Sequence, residues 1–178
     1  MKTQIMILAA MLGGSIGLTC AAEPTPAQAD SRVSVTFVDP QQFTDLKEQD
    51  GDVTSPQLLG ELKDFINQTG ERSIPADMHL AVRVTDVDMA GRFEPWRGPE
   101  FDHVRIVKSL YPPRIKLEFS LTDARGKVVS AGERVLTDLV FQTRNAFAQP
   151  ADDHLRYEKD ILRDWFRSEF KSATLAGS

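Results

Sequence analysis

The sequence predicts an α+β fold: a single two-layer sandwich in which a mostly antiparallel sheet of about four strands carries two helices on one face, in the order β-α-β-β-β-α. Two observations predict it. Four segments alternate apolar and polar residues at the period of a half-buried strand, and two others space their apolar residues as a helix does. Alternating rather than continuously apolar strands imply one buried sheet face and one face left partly wet.

The elements follow in order. RVSVTFV, from Arg32, sets Val33, Val35 and Phe37 against Ser34 and Thr36 until Asp39-Pro40 stops the strand. PQQFTDLKEQDGDV has no sustained period and reads as a loop, with Phe43 and Leu46 tucked in. Ser55 can cap a helix, because its hydroxyl accepts from an otherwise unpaired amide, and Pro56 suits the first helical position, having no amide to leave unpaired. Leu58, Leu59, Leu62, Phe65 and Ile66 keep helical spacing, and Gly70 is the expected stop. MHLAVRVTDV is a second strand, with Leu80, Val82 and Val84 on one face. RIKLEFSLTDARGKVVSAGERVLTDL predicts a hairpin turning at Asp123 to Gly126, with a bulge at Gly132. Asp152 and Asp153 can cap a last helix whose apolar arc holds Leu155, Ile161, Leu162, Trp165, Phe166 and Phe170.

The first residues have the layout of a secretory signal peptide, with Lys2, an apolar run of about 14 residues from Ile5 to Leu18, and small residues after it. That run is shorter than the roughly 20 residues of a membrane-spanning helix. Cleavage is expected after Ala22, with Ala29 as the other candidate. The expected organisation is a signal peptide at 1–22, a flexible Pro/Ala-rich tether at 23–31, a domain at 32–171 and a disordered tail at 172–178. An acylated Cys20 would make a lipoprotein, but Gly17 and Thr19 stand where a lipobox has Leu and a small residue. Removing the leader removes one Lys and no acid, which moves the net charge from −5 to −6 and gives no support for binding nucleic acid. It also removes the one cysteine, so disulfides and thiolate sites are not expected.

Residues 91–119, GRFEPWRGPEFDHVRIVKSLYPPRIKLEF, hold the richest chemistry and have no clean period. A calcium loop started at Asp86 would need oxygen ligands at Ala90 and Arg97, which neither supplies. His79, His103 and His154 have no zinc-site spacing, so no metal and no cofactor is expected. Serine-hydrolase motifs are missing from the sequence. Glu94, Glu100 and Asp102 are the carboxylates available for acid and base work in a metal-free envelope hydrolase, and solvated surface charge is their plainer reading. Trp96, Arg97, Arg105, Tyr111 and Arg114 are the candidate binding residues, because flat aromatic faces and planar guanidinium groups dominate interface hot spots. The plainer reading here is that Trp96 and Phe101 plug the end of the sheet.

TDVDMAGRFEPWRGPEFDHVRIVKSLYPPRIKLEFSLTDARGKVVSAGERVLTD, with VSVTFVDPQQFTD before it and LRYEKDILRDWFRSEF after it, resembles an exported proteobacterial family, domain of unknown function 3016. The resemblance implies a secreted or periplasmic protein of a Gram-negative bacterium and brings no reaction, ligand or catalytic residue. The functional expectation is therefore a non-catalytic binding or adaptor module acting on an envelope protein or small ligand. The alternatives are the hydrolase above and a structural partner that pairs through a sheet edge.

Overall fold

A computed structural model describes residues 31–47, 54–101, 104–144 and 153–176, with side chains as far as residue 171. The expected signal peptide, the tether before Ser31 and the tail side chains lie outside the described residues, as does the capping role of Asp152. The fold is the expected α+β sandwich. β1 (Val33–Phe37), β2 (Met78–Asp88), β5 (Arg114–Asp123) and β6 (Val128–Thr137) form one sheet in the order β1-β2-β5-β6. β5 pairs antiparallel with both β2 and β6, whereas β1 runs parallel to β2, with Val33 opposite Leu80 and Phe37 opposite Val84. A parallel pair needs a crossover, and α1 (Pro56–Ser73) supplies it. The last long helix, α3 (Arg156–Ala176), completes the helical layer; a short α2 (Phe141–Arg144) follows β6 and was not expected.

The buried face of the sheet carries Val33, Leu80, Val82, Val84, Leu117, Phe119 and Leu121, packed with Leu62 and Ile66 of α1 and Leu162, Trp165, Phe166 and Phe170 of α3. Phe43 and Leu46 close the core from the loop after β1. Phe65 is only partly buried, with the Arg163 guanidinium 5.0 Å over its ring. Helix α1 starts as expected: the Ser55 hydroxyl accepts from the Leu58 amide and Pro56 follows it.

Two glycines serve purposes other than those expected. The helix does not stop at Gly70 but runs on to Ser73, and Gly70 is buried. A Cβ there would lie 3.0 Å and 3.1 Å from the Val33 methyl groups and 3.4 Å from the Phe166 ring, so glycine lets α1 approach both β1 and α3. Gly70→Ala should therefore cost about 1–3 kcal/mol through overpacking. Gly60→Ala, where nothing lies within 4 Å, should stabilise by about 0.5–1 kcal/mol because alanine is the better helix former. Urea unfolding of the two variants checks both signs. The bulge expected at Gly132 sits instead at Val129, between the pairs Leu121–Ser130 and Thr122–Val128. Gly132 faces Phe119, where a Cβ would meet the Arg134 guanidinium at 2.8 Å. That guanidinium lies 5.0 Å over the Phe119 ring and bonds both oxygens of Glu169, tying β6 to α3.

A second bulge positions the site. Between Val84 and Asp86 the β2–β5 register shifts, so Val84 and Val87 both reach the core although they are three residues apart. After the bulge, Asp86 and Asp88 project from the opposite side of the strand. They meet their register partners there: Asp86 pairs with Lys116 at 2.9 Å, and Asp88 faces Arg114.

Candidate functional site

Residues 89–113 join two adjacent antiparallel strands, so this segment is an elaborated hairpin connection standing at one end of the sheet. Its base is a two-stranded ribbon, β3 (Arg92–Phe93) paired with β4 (Arg105–Ile106), and two 3-10 turns, Pro95–Arg97 and Pro99–Phe101, form its outer part. Gly91 begins it at φ 83, and a Cβ there would lie 2.8 Å from the Ile106 carbonyl oxygen, so both conformation and space require glycine. The Gly91 amide donates to the Tyr111 carbonyl at 3.0 Å and closes the base.

Glu94 organises the interior of this segment. It is 1% exposed, and its carboxylate accepts from Lys108 Nζ at 2.6 and 2.8 Å, from Arg97 Nε and from the Tyr111 hydroxyl at 3.2 Å. The Lys108 hydrogen bond, opposed by desolvation and reinforced by Arg97 and Tyr111, holds the carboxyl below its ordinary range. The expectation of a solvated surface charge is thus corrected. Glu94 is an ionised anchor saturated with donors, an arrangement that suits holding a turn rather than giving up a proton. Glu100 is exposed on the second 3-10 turn, and Asp102 lies outside the described residues.

The candidate binding residues separate into three settings. Trp96 stands 71% exposed between Pro95 and Arg97, so it does not plug the sheet, and Phe101 is only partly buried. Arg97 donates its Nε and Tyr111 its hydroxyl to Glu94. Arg105 is committed to the scaffold: it bonds both oxygens of Asp45 at 2.7 and 3.0 Å, donates to the Gly91 carbonyl at 3.1 Å and covers Phe93 at 4.7 Å. Arg114 is half exposed and stands 3.8 Å from Asp88.

Asp86 is buried rather than water-facing. Burial pushes its carboxyl up, but the Thr44 amide at 2.8 Å, the Thr44 hydroxyl and Lys116 outweigh that and hold it low, which pins the loop after β1 to β2. Beneath the base lies Glu158 of α3, fully buried. One of its oxygens accepts from the Ala90 amide at 2.7 Å, and no donor among the described residues reaches Oε2. Burial, with the Asp45 charge adding to it and Arg105 opposing it, pushes this carboxyl up to about 7. Sequence reasoning passed over Glu158, although it occupies the apolar arc of its helix, three residues after Leu155 and four before Leu162. Asp45, Lys108 and Arg92 were also missed, and nothing in their local pattern marks them. Among the described residues, no group of three or more His, Cys, Asp or Glu side chains is placed to hold a metal ion.

The fold and this segment define the chain as an α+β sandwich domain that displays an ion-anchored hairpin excursion at one end of its sheet. It belongs to a protein family of unknown function, DUF3016, which matches residues 31–168. No curated protein and no solved structure matches the chain.

Proposed function

We propose that this chain is an exported, non-catalytic binding module of the bacterial envelope that recognises its partner through the turn bearing Trp96. One observation carries the reading: a tryptophan 71% exposed on a turn whose next residue, Arg97, is fastened to a buried carboxylate. A turn braced beside the aromatic residue leaves less backbone entropy to be lost on binding, and tryptophan is among the residues enriched in interface anchors. The leader-like pattern of residues 1–22 supports export to the periplasm. No helix among the described residues is long and apolar enough to cross a membrane.

The test is a photo-crosslinking residue at exposed position 100, activated in living cells. A discrete adduct is expected with Trp96 present, and Trp96→Ala should abolish it while moving the melting temperature by no more than about 2 °C. An adduct that persists unchanged in Trp96→Ala would remove Trp96 from the interface, and a large loss of stability would make it structural.

A second reading, pairing through a sheet edge, is favoured by β6. Among the described residues it has a sheet neighbour on one side only, and Val128, Val129 and Val135 on it are 55%, 52% and 62% exposed. Under that reading Val135→Lys, rather than Trp96→Ala, abolishes the adduct.

A further inference from the structure

We propose that the cleft between the end of the main sheet and the base of the excursion binds a small zwitterion, an amino acid or dipeptide with an apolar side chain. The cleft has a volume of about 320 Å³ and is lined by residues of β2, β3, β5 and β6 together with the chain leading into β5. Asp88, Arg92 and Arg114 bring its charges, and Leu110, Tyr111 and Met89 its apolar surface.

What distinguishes the cleft is that its charges are only loosely paired. On the neighbouring rung of the ladder Lys116 meets Asp86 at 2.9 Å, and Glu94 and Asp45 are each held by direct bonds of 2.6 to 2.7 Å. Arg114 and Asp88 are register partners as well, yet they stand 3.8 Å apart, beyond a direct hydrogen bond. Arg92 is exposed and lies 5.3 Å over the Tyr111 ring, with no ion pair or hydrogen bond among the described residues. Asp88 is correspondingly under-compensated. Burial first, then the Asp45 charge, raises its carboxyl above the ordinary range, and Arg114 and Arg92 offset that only in part. An ammonium group at Asp88 would supply the missing partner, and a carboxylate would give the two guanidinium groups the planar acceptor they fit.

Both signs are needed to satisfy the cleft. A simple anion would meet Asp88, and a simple cation would meet two arginines. Leu110, 75% exposed beside Tyr111, offers an aliphatic contact at the rim. The volume lies at the lower end of the roughly 300–1,000 Å³ of ligand pockets, which sets the size at one or two residues. Trp96 is not among the lining residues, so this inference and the partner-binding reading stand or fall separately.

The experiment is an amide chemical-shift titration of the folded chain with L-leucine and L-leucyl-L-leucine, then with N-acetyl-L-leucine and L-leucinamide. At least one of the first two should give saturable shifts centred on residues 88–92 and on 110, 111 and 114, with a Kd of about 1 mM or tighter. The acetylated and amidated compounds, each lacking one charge, should bind at least about tenfold more weakly. Arg92→Ala, a change at an exposed side chain, should weaken binding by about tenfold or more without loss of stability, and Asp88→Asn should do the same where it folds. The proposal is overturned if neither zwitterion gives saturable shifts. It is overturned equally if the acetylated compound binds as well as leucine, which would mark an anion site, or if all four bind alike, which would mark an apolar crevice.

Discussion

Replacing Trp165 with alanine is expected to destabilise the domain by about 3–5 kcal/mol, the cost of deleting a large aromatic side chain from a packed interior. Trp165 is 4% exposed and sits among three other rings, with Phe119 of β5 at 5.7 Å and Phe166 and Phe170 of its own helix at 4.6 and 5.5 Å. These contacts fasten α3 to the sheet, so the loss is felt across the layer and not only on the helix. Trp165→Phe separates volume from polarity. The indole Nε1 is buried with no hydrogen-bond partner among the described residues, so phenylalanine gives up area but also removes an unsatisfied donor. It should cost clearly less than alanine, about 1–2 kcal/mol. Urea unfolding of both variants checks the order, and a Trp165→Ala loss below about 1 kcal/mol would mean that the aromatic cluster does not hold the two layers together.

How much of this was readable in the chain differs between fold and site for physical reasons. Period, caps and breakers are local, so Ser55-Pro56, the alternation around Val82 and the apolar arc of α3 each announced their element. The parallel placement of β1 beside β2 was not readable, because alternation reports which face a residue takes and not which neighbour its strand finds. Glycine was misread twice for a similar reason. Gly70 is set by the close approach of Val33 and Phe166, and Gly132 lies beside the Arg134 guanidinium without forming the bulge; a pattern along one chain cannot show an approach from elsewhere.

The site was harder still. The segment was recognisable as chemistry-rich, but the burial of Glu94 depends on Lys108 and Tyr111, which are 14 and 17 residues away and brought together by the β3–β4 ribbon. Arg97 and Arg105 look alike in sequence and end on different duties, one bracing the turn beside Trp96 and the other locking the base to Asp45. Glu158 was legible in principle. A carboxylate on the apolar arc of a helix announces either a partner or a shifted titration, and here it has both, with Ala90 on one oxygen and no described donor on the other.

The stability of the domain should accordingly fall as pH rises toward neutrality, and Glu158 should be the cause. Its carboxyl is pushed from 4.5 up to about 7 in the folded chain, chiefly by burial. A raised folded value means that the native state holds its proton more tightly than the unfolded state. The stabilisation is therefore fully present below about pH 4.5, erodes as pH climbs from there, and is gone once pH passes about 7. At about 1.4 kcal/mol per pH unit the span corresponds to roughly 3 kcal/mol. Asp86 and Glu94, whose carboxyls are depressed, act in the opposite sense, and their contribution is lost only on acidification below the ordinary carboxylate range. Asp88 is raised like Glu158, so Asp88→Asn serves as the control that separates the two. Unfolding free energies measured from pH 5 to 8 should decline in the wild type, decline nearly as steeply in Asp88→Asn, and lose most of the slope in Glu158→Gln. Glutamine suits the position because it can still accept from the Ala90 amide while carrying no charge. A Glu158→Gln profile that overlays the wild-type one would show that this buried carboxyl does not govern the dependence.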